Sequence, residues 1–470
     1  MERSLRVLKS LVFSSLVVFV ALIQFWKVPV ISTAVQVLAF LSWILALKDS
    51  DRMSRSVSVI LVATGAVLFI LTGVPVFKAL STFSDNTQIL MVMVLVPLLG
   101  TVIDMGGYSE SLSIVCQGLR NPFLLHFVAS FLAYATGSVL LNAAIALVWA
   151  VMVPVVRRAV DDPETFLASS VPRGYNASLL WTPASPCMAV ALSLTGIQWS
   201  SLFNPGLLLS LVMLALATLV QWRDPLVTGG KSPPGDLLQT TPFGESLDPS
   251  FLDRRRAVLK TGALALGLAS FIGGVICLEA AGFTAIQAVV PCIVVAVLVW
   301  SLFLRKLREA VKASVSYVSE KIPGLSRQYL LMTTAGFIGT AAKLFAGSNF
   351  ASSIPSVLPW SEQANKLAFT LLTSLLIWLI SILGIHPLIG MSVTYSLVSR
   401  LASAYTGRHV TLTLLLGSAL GFNISPVSAT MLVTSSCCGR NTFDTGIKLQ
   451  WRFVLCMWVV GSFILSLLNV

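Results

Sequence analysis

Residues 173–190 read RGYNASLLWTPASPCMAV, with Asn176, Ser178, Thr182, Pro183, Ser185 and Pro186 set inside apolar sequence. Residues 420–432 repeat the pattern as LGFNISPVSATML, with Asn423, Ser425, Pro426 and Ser428. Gly174-Tyr175-Asn176 opens the first stretch and Gly421-Phe422-Asn423 the second. Pro and Gly at such positions break a helix, and Asn and Ser offer side-chain partners to the backbone that the break exposes.

The surroundings of these stretches set the class. The chain has 470 residues, 56% of them hydrophobic and only 11% charged, and its mean hydropathy is +0.89. Soluble domains carry about 25% charged residues, so this composition belongs to a polytopic membrane protein. The net charge of +12 is distributed in short basic runs between apolar stretches. That is a topology signal and gives no reason to expect nucleic acid. The seven cysteines lie in or beside apolar segments with no C-x-x-C pair; they read as buried apolar side chains, and no metal cluster or cofactor is expected. The opening MERSLRVLKSLVFSSLVVFV is expected to be a first transmembrane helix and not a cleaved leader.

A helix needs about 20 apolar residues to span a bilayer. Simple spans are expected near 8–26, 29–47, 56–73, 88–105, 202–221, 258–278, 283–304, 328–346 and 450–469. Residues 122–157 and 366–400 read as re-entrant hairpins, and 166–195 and 410–438 as broken helices, giving an all-α protein of about 11 spans. With the N-terminus in the cytoplasm, the positive-inside rule puts nearly all basic loops on the inner side. Only Lys27, Lys78, Lys343, Lys366, Arg400 and Arg408 fall outside, together with the C-terminus. The polar segment 222–257 is expected to be a cytoplasmic linker between a first half, 1–221, and a second, 258–470.

The halves match in order. Residues 97–114 resemble 335–354, residues 131–156 resemble 375–398, and the two opening stretches follow; the offset is 239 residues at Gly100/Gly339 and 247 at Asn176/Asn423. The charge count gives the hairpins opposite entry sides, so the repeats are expected to be inverted. Interrupted helices in inverted repeats place substrate near the midplane of secondary transporters. Irregular backbone survives at that depth only beside protein or a water-filled cavity. The N-terminal end of a half-helix favours an anion, and free carbonyls favour a cation.

This order of features resembles the ion transporter superfamily, in particular its divalent anion/sodium symporter branch. GSVLLNAAIALVWAVMVP resembles that family's first hairpin, with Asn142 at the motif Asn and Pro154 at the closing Pro, and YNASLLWTPASPCM resembles its first broken helix, with Thr182-Pro183 as its Thr-Pro. The sequence departs from the family where the first tip has Leu141 and Ala143 in place of Ser and Thr. At the second tip it reads Gly384-Ile385-His386-Pro387, without Ser-Asn-Thr. The resemblance implies a transporter of a small anion, dicarboxylate-like or inorganic, coupled to Na+ or H+. It also implies an elevator-like mechanism, a multi-pass location in the cytoplasmic membrane, and a homodimer.

Candidate substrate and ion contacts are Ser138, Asn142, Asn176, Thr182, Ser185, His386, Asn423, Ser425 and Ser428, with Na+ as the candidate coupling ion at Asn142, Asn176 and Asn423. Candidate helix-break residues are Gly137, Gly174, Pro183, Pro186, Gly384, Pro387, Gly421 and Pro426. His386 reads either as a group that meets a carboxylate or proton, or as one bonded to loop backbone. Asp104 and Lys343 read as capping or snorkelling groups, Glu279 and His126 as interfacial ones, and Cys437-Cys438 as packing. A cation/proton antiporter or a metalloid efflux permease of the same superfamily is the alternative. A polytopic membrane enzyme would need a base, nucleophile or metal cluster that the sequence does not offer, and the chain is not expected to be an enzyme.

Overall fold

The computed structural model describes residues 2–26, 28–116, 119–222, 251–346 and 361–468. The chain is an all-α multi-pass membrane protein. Among the described residues, eleven stretches are long and apolar enough to cross a membrane. The number agrees with expectation, but the membership differs. The long arms of both hairpins qualify, whereas the Thr-rich helix Ser326–Ala346, with Arg327 and Lys343 at its ends, does not. Most of the linker, 223–250, lies outside the described residues, as do 347–354 of one repeat match.

Three helices open the chain, Glu2–Phe25, Pro29–Asp49 and Arg52–Leu71. The expected single helix at 88–105 is instead a run of short pieces: Val76–Ser81, Thr82–Ser84, Thr87–Leu95, Pro97–Gly106 and Tyr108–Cys116. Pro97 starts a new piece because it donates no N–H. Gly107 turns the chain at φ +64°, in the left-handed region that glycine enters without strain.

Two hairpins follow the expected pattern. The first joins Pro122–Leu140 to Ala143–Val156, and the second joins Glu362–Ile382 to Pro387–Ala402. Each is followed by a broken helix. In the first half, Pro163–Ser178 is separated from Pro186–Thr195; in the second, Gly407–Ile424 is separated from Ala429–Cys438. The next helices are Ser200–Trp222 and, after the short π-turn Asp444–Lys448, Leu449–Leu467. Phe251–Ala280 and Ala285–Phe303 precede the helix Ser326–Ala346.

The two halves pack through matching contacts. Each long hairpin arm lies along the N-terminal half of its own broken helix, and each short arm touches the C-terminal half of the other broken helix. The broken helices pass each other head to tail: 186–195 packs on 407–424, and 429–438 on 163–178.

Glycines set the separation along these seams. A Cβ on Gly174 would stand 1.9 Å from the carbonyl oxygen of Ser130, and one on Gly137 2.7 Å from the Tyr175 ring. In the second half, Gly417 faces the Ser374 backbone at 2.9 Å and Gly421 faces Ser381 Oγ at 2.8 Å. Small residues let membrane helices approach to backbone contact, where dispersion supplies the adhesion that water would otherwise drive. Gly137, Gly174 and Gly421 therefore lie within helices and serve as packing points, a correction to their expected role as breakers. The breaks themselves fall at 179–185 and 425–428.

Gly174→Ala should destabilise the chain by about 3 kcal/mol, the upper end of the usual overpacking cost, because the obstructing atom is backbone and cannot swing away. Gly262→Ala, with nothing within 4 Å of the new Cβ, should be neutral or mildly stabilising. Thermal unfolding in detergent, read by the loss of the monodisperse peak, distinguishes the two. Equal behaviour of both variants would refute the seam.

Candidate functional site

The breaks are held by their own local chemistry. Pro183 lies in the first break and Pro186 starts the half-helix after it, where Ser185 accepts the Cys187 N–H (3.1 Å). Pro426 lies in the second break, and Ser428 caps the following half-helix by accepting the Met431 N–H (3.2 Å). Ser428 also donates to the Phe422 carbonyl (2.9 Å), and Ser425 accepts the Val427 N–H (3.4 Å). Ser138 and Ser178 donate to carbonyls three residues back, Ala135 and Tyr175. Of the hydroxyls read from the sequence, Ser138, Ser185, Ser425 and Ser428 are thus occupied with nearby backbone. Thr182 reaches further. Its Oγ1 donates to the Ser138 carbonyl (2.9 Å), which ties the first break to the first hairpin near its tip.

The three asparagines differ from the hydroxyls. Asn423 donates to the Ala419 carbonyl (2.9 Å) and leaves a buried Oδ1 with no hydrogen-bond partner. Asn176 accepts from Thr430 Oγ1 (3.2 Å) across the two halves and leaves a buried Nδ2 without one. Asn142, at the first tip, has a buried Oδ1 without one. An unsatisfied buried polar group costs about 1–3 kcal/mol, so three at related positions need an explanation. Exchanging the oxygen and nitrogen of the Asn176 amide keeps the Thr430 contact, with the hydroxyl as acceptor, and presents a third amide oxygen.

The tips themselves are unlike. Leu141 holds φ +52°, ψ −137° at the first tip, the first central position of a type II′ turn that glycine ordinarily fills. At the second tip Gly384 takes the left-handed residue, φ +92°, and Pro387 begins the short arm. His386 is the N-cap of that arm, its Nδ1 accepting the Leu388 N–H (3.4 Å), and its ring meets Phe422 edge to face at 5.3 Å.

Two arginines complete the site. Arg173, fully buried one turn before Asn176, donates from Nε to Gln450 Oε1 (2.7 Å), from Nη1 to Gln221 Oε1 (3.1 Å) and the Ala217 carbonyl (3.3 Å), and from Nη2 to the Leu449 carbonyl (3.1 Å). Its guanidinium also lies 4.9 Å from the centre of the Phe453 ring. Arg327, counted from the sequence only as an inner loop charge, donates to the Val427 carbonyl inside the second break and stands 4.0 Å from Asp51. Glu279, expected at the interface, is buried and accepts the N–H groups of Trp199 and Ser200, both at 2.7 Å. It therefore caps the helix that leaves the first broken helix. The Asp104 side chain lies outside the described residues.

One ion pair joins the two broken helices at the ends remote from their breaks. Asp162 accepts from Arg440 Nη2 (2.9 Å) and from the N–H and hydroxyl of Thr165. Partial burial pushes its carboxyl up, but the Thr165 and Arg440 bonds outweigh that and hold it below the ordinary 3.8. A lowered folded value means the stabilisation is complete above 3.8 and is lost as pH falls below it through the folded value. Acidification from pH 7 to 5 should leave the Asp162 contribution intact, and a loss specific to it should begin only below about pH 4. Comparison of wild type with Asp162→Asn by thermal unfolding across this range checks it. A difference between the two that shrinks already between pH 7 and 5 would contradict the assignment.

No family model and no curated protein matches the sequence. Among solved structures, the chain is similar to the YdaH transporter of Alcanivorax borkumensis, whose crystal structure was described as revealing an unusual topology. The match has a TM-score of 0.50 at 16% identity, and covers 87% of this chain and 97% of that one. At that identity the likeness shows the fold alone. It shows neither the ion transporter superfamily nor its divalent anion/sodium symporter branch for this chain.

Proposed function

We propose that this protein is a secondary active transporter that moves a small anion across the cytoplasmic membrane, coupled to Na+ or H+, with two inverted repeats working in an elevator-like alternating-access cycle. The observation that carries it is the head-to-tail passage of two broken helices with Asn176 bonded to Thr430 across them, beside three buried asparagines that each keep one amide atom without a hydrogen-bond partner. The matching contacts of the two halves are what an inverted repeat would produce, and the transporter fold is consistent with this reading.

Charge favours an anion as cargo. Among the described residues, neither break and neither hairpin tip carries Asp or Glu, while Arg327 donates to a carbonyl inside the second break and Arg173 lies one turn before Asn176. The half-helices beginning at Pro186 and Ala429 add the partial positive charge of their N-terminal ends. The orphan oxygens of Asn142 and Asn423 suit a sodium ion, a hard cation taken by neutral oxygens. A cation/proton antiporter would use a deep carboxylate for proton exchange.

Proteoliposomes given labelled succinate or citrate with an inward Na+ gradient, and then with choline in place of Na+, test the proposal. Uptake that depends on Na+ or on an imposed proton gradient is expected; no uptake of either anion or of inorganic anions under any gradient, by folded protein, would overturn it. Asn142→Ala and Asn423→Ala should each reduce uptake to background while the protein stays monodisperse. Wild-type rates in both would remove these residues from the site.

A further inference from the structure

A cavity of about 310 Å³ lies between the long arm of the first hairpin and the helix Phe251–Ala280. Its walls are almost wholly apolar, with Phe131, Ala135 and Val139 on the hairpin and Leu264, Leu268 and Phe271 opposite. A second, more open chamber of about 700 Å³ runs between Phe251–Ala280 and Ala285–Phe303. The two share Gly267, Phe271, Ala296 and Trp300. Trp300 is fixed as the partition by its indole N–H, which donates to Tyr108 Oη (2.8 Å), and Gly267 leaves the space its ring occupies.

The charge beside these chambers is positive. Leu264 and Leu268 continue a helical stripe that begins at Arg256 and Lys260, each four residues apart on one face. Lys260 Nζ stands 3.8 Å from where a Gly107 Cβ would be, and Lys306 Nζ donates to the nearby Met105 carbonyl (3.2 Å) while pairing with Glu309 at 3.6 Å. Ile103 and Leu112, on either side of that turn, line the inner chamber. Basic groups therefore sit at the end of the stripe nearest the turn whose flanks, Ile103 and Leu112, line the inner chamber. Two apolar slots separated by one indole, with cations at one end, match a diacyl lipid with an anionic head. Basic residues near a membrane surface attract such a head.

We propose that these paired chambers are a binding site for one anionic phospholipid, with one acyl chain on each side of Trp300 and its phosphate at Arg256, Lys260 and Lys306. The inner chain abuts Val139 and Leu140, immediately before the first hairpin tip, and fills the gap between the hairpin and the helix Phe251–Ala280. The site does not depend on what the protein transports.

Native mass spectrometry of the full chain, purified from membranes containing phosphatidylglycerol and phosphatidylethanolamine, tests this. The wild type is expected to retain one phosphatidylglycerol per chain through delipidation that strips phosphatidylethanolamine. Ala265→Phe, which fills the inner chamber, should lower retention at least tenfold. Arg256→Gln with Lys260→Gln, exposed positions where folding is not at stake, should abolish the preference for the anionic lipid. Retention of no phospholipid by wild type, equal retention of the two lipids, or unchanged retention in the charge variant would each overturn the site.

Discussion

A helix broken at membrane depth exposes N–H and C=O groups where no bulk water can meet them, and this constraint organises the rest of the molecule. The first break is met by Ser185, by the Thr182 bond to the Ser138 carbonyl and by the Trp199 indole, which donates to the Trp181 carbonyl (2.8 Å). The second is met by Ser425, Ser428 and the Arg327 guanidinium. Two further carbonyls, Leu180 and Ile424, each approach a glycine of the following segment, Gly206 and Gly446. Such bonds need backbones close together, so the glycine seams between hairpin and broken helix are a consequence of the breaks as much as a packing device.

The placement of charge follows from the same scarcity of water. Arg173 is buried with amide and carbonyl acceptors from two other helices. These acceptors meet its N–H groups where no bulk water could. Removing one acceptor would leave a buried donor unpaired and cost more than an average hydrogen bond. The same contacts join the first broken helix to the helix Leu449–Leu467 of the second half, which makes Arg173 a strut between them.

Much of this architecture could be read from residue types alone. Asn, Pro and Ser inside apolar runs located both broken helices within a few residues, and the hairpins fell at 122–156 and 362–402 as their Gly and Pro content suggested. What remained hidden was tertiary. The glycines beside each Asn looked like breakers, because sequence cannot say whether a missing Cβ serves a turn or a neighbour's carbonyl. Arg327 looked like a loop charge, because its partner Val427 is 100 residues away. Glu279 looked interfacial for the same reason. Arg173 carried a usable signal, an ionisable residue one turn from an intramembrane Asn, and weighing it as a site residue would have found it.

The unlike hairpin tips bear on how such a site would divide its work. Asn142 presents an amide oxygen with no partner, an acceptor suited to a cation. His386 uses Nδ1 to accept the Leu388 N–H, which leaves Nε2 to carry the proton of the neutral ring. The second tip therefore offers a donor, and Arg327 brings further donors to the break beside it. Under the proposed function, the first tip suits the coupling ion and the second tip suits the anion. Two halves of matching architecture can differ in this way because the breaks need only their backbone satisfied. The side chains beyond that requirement are free to take opposite polarity.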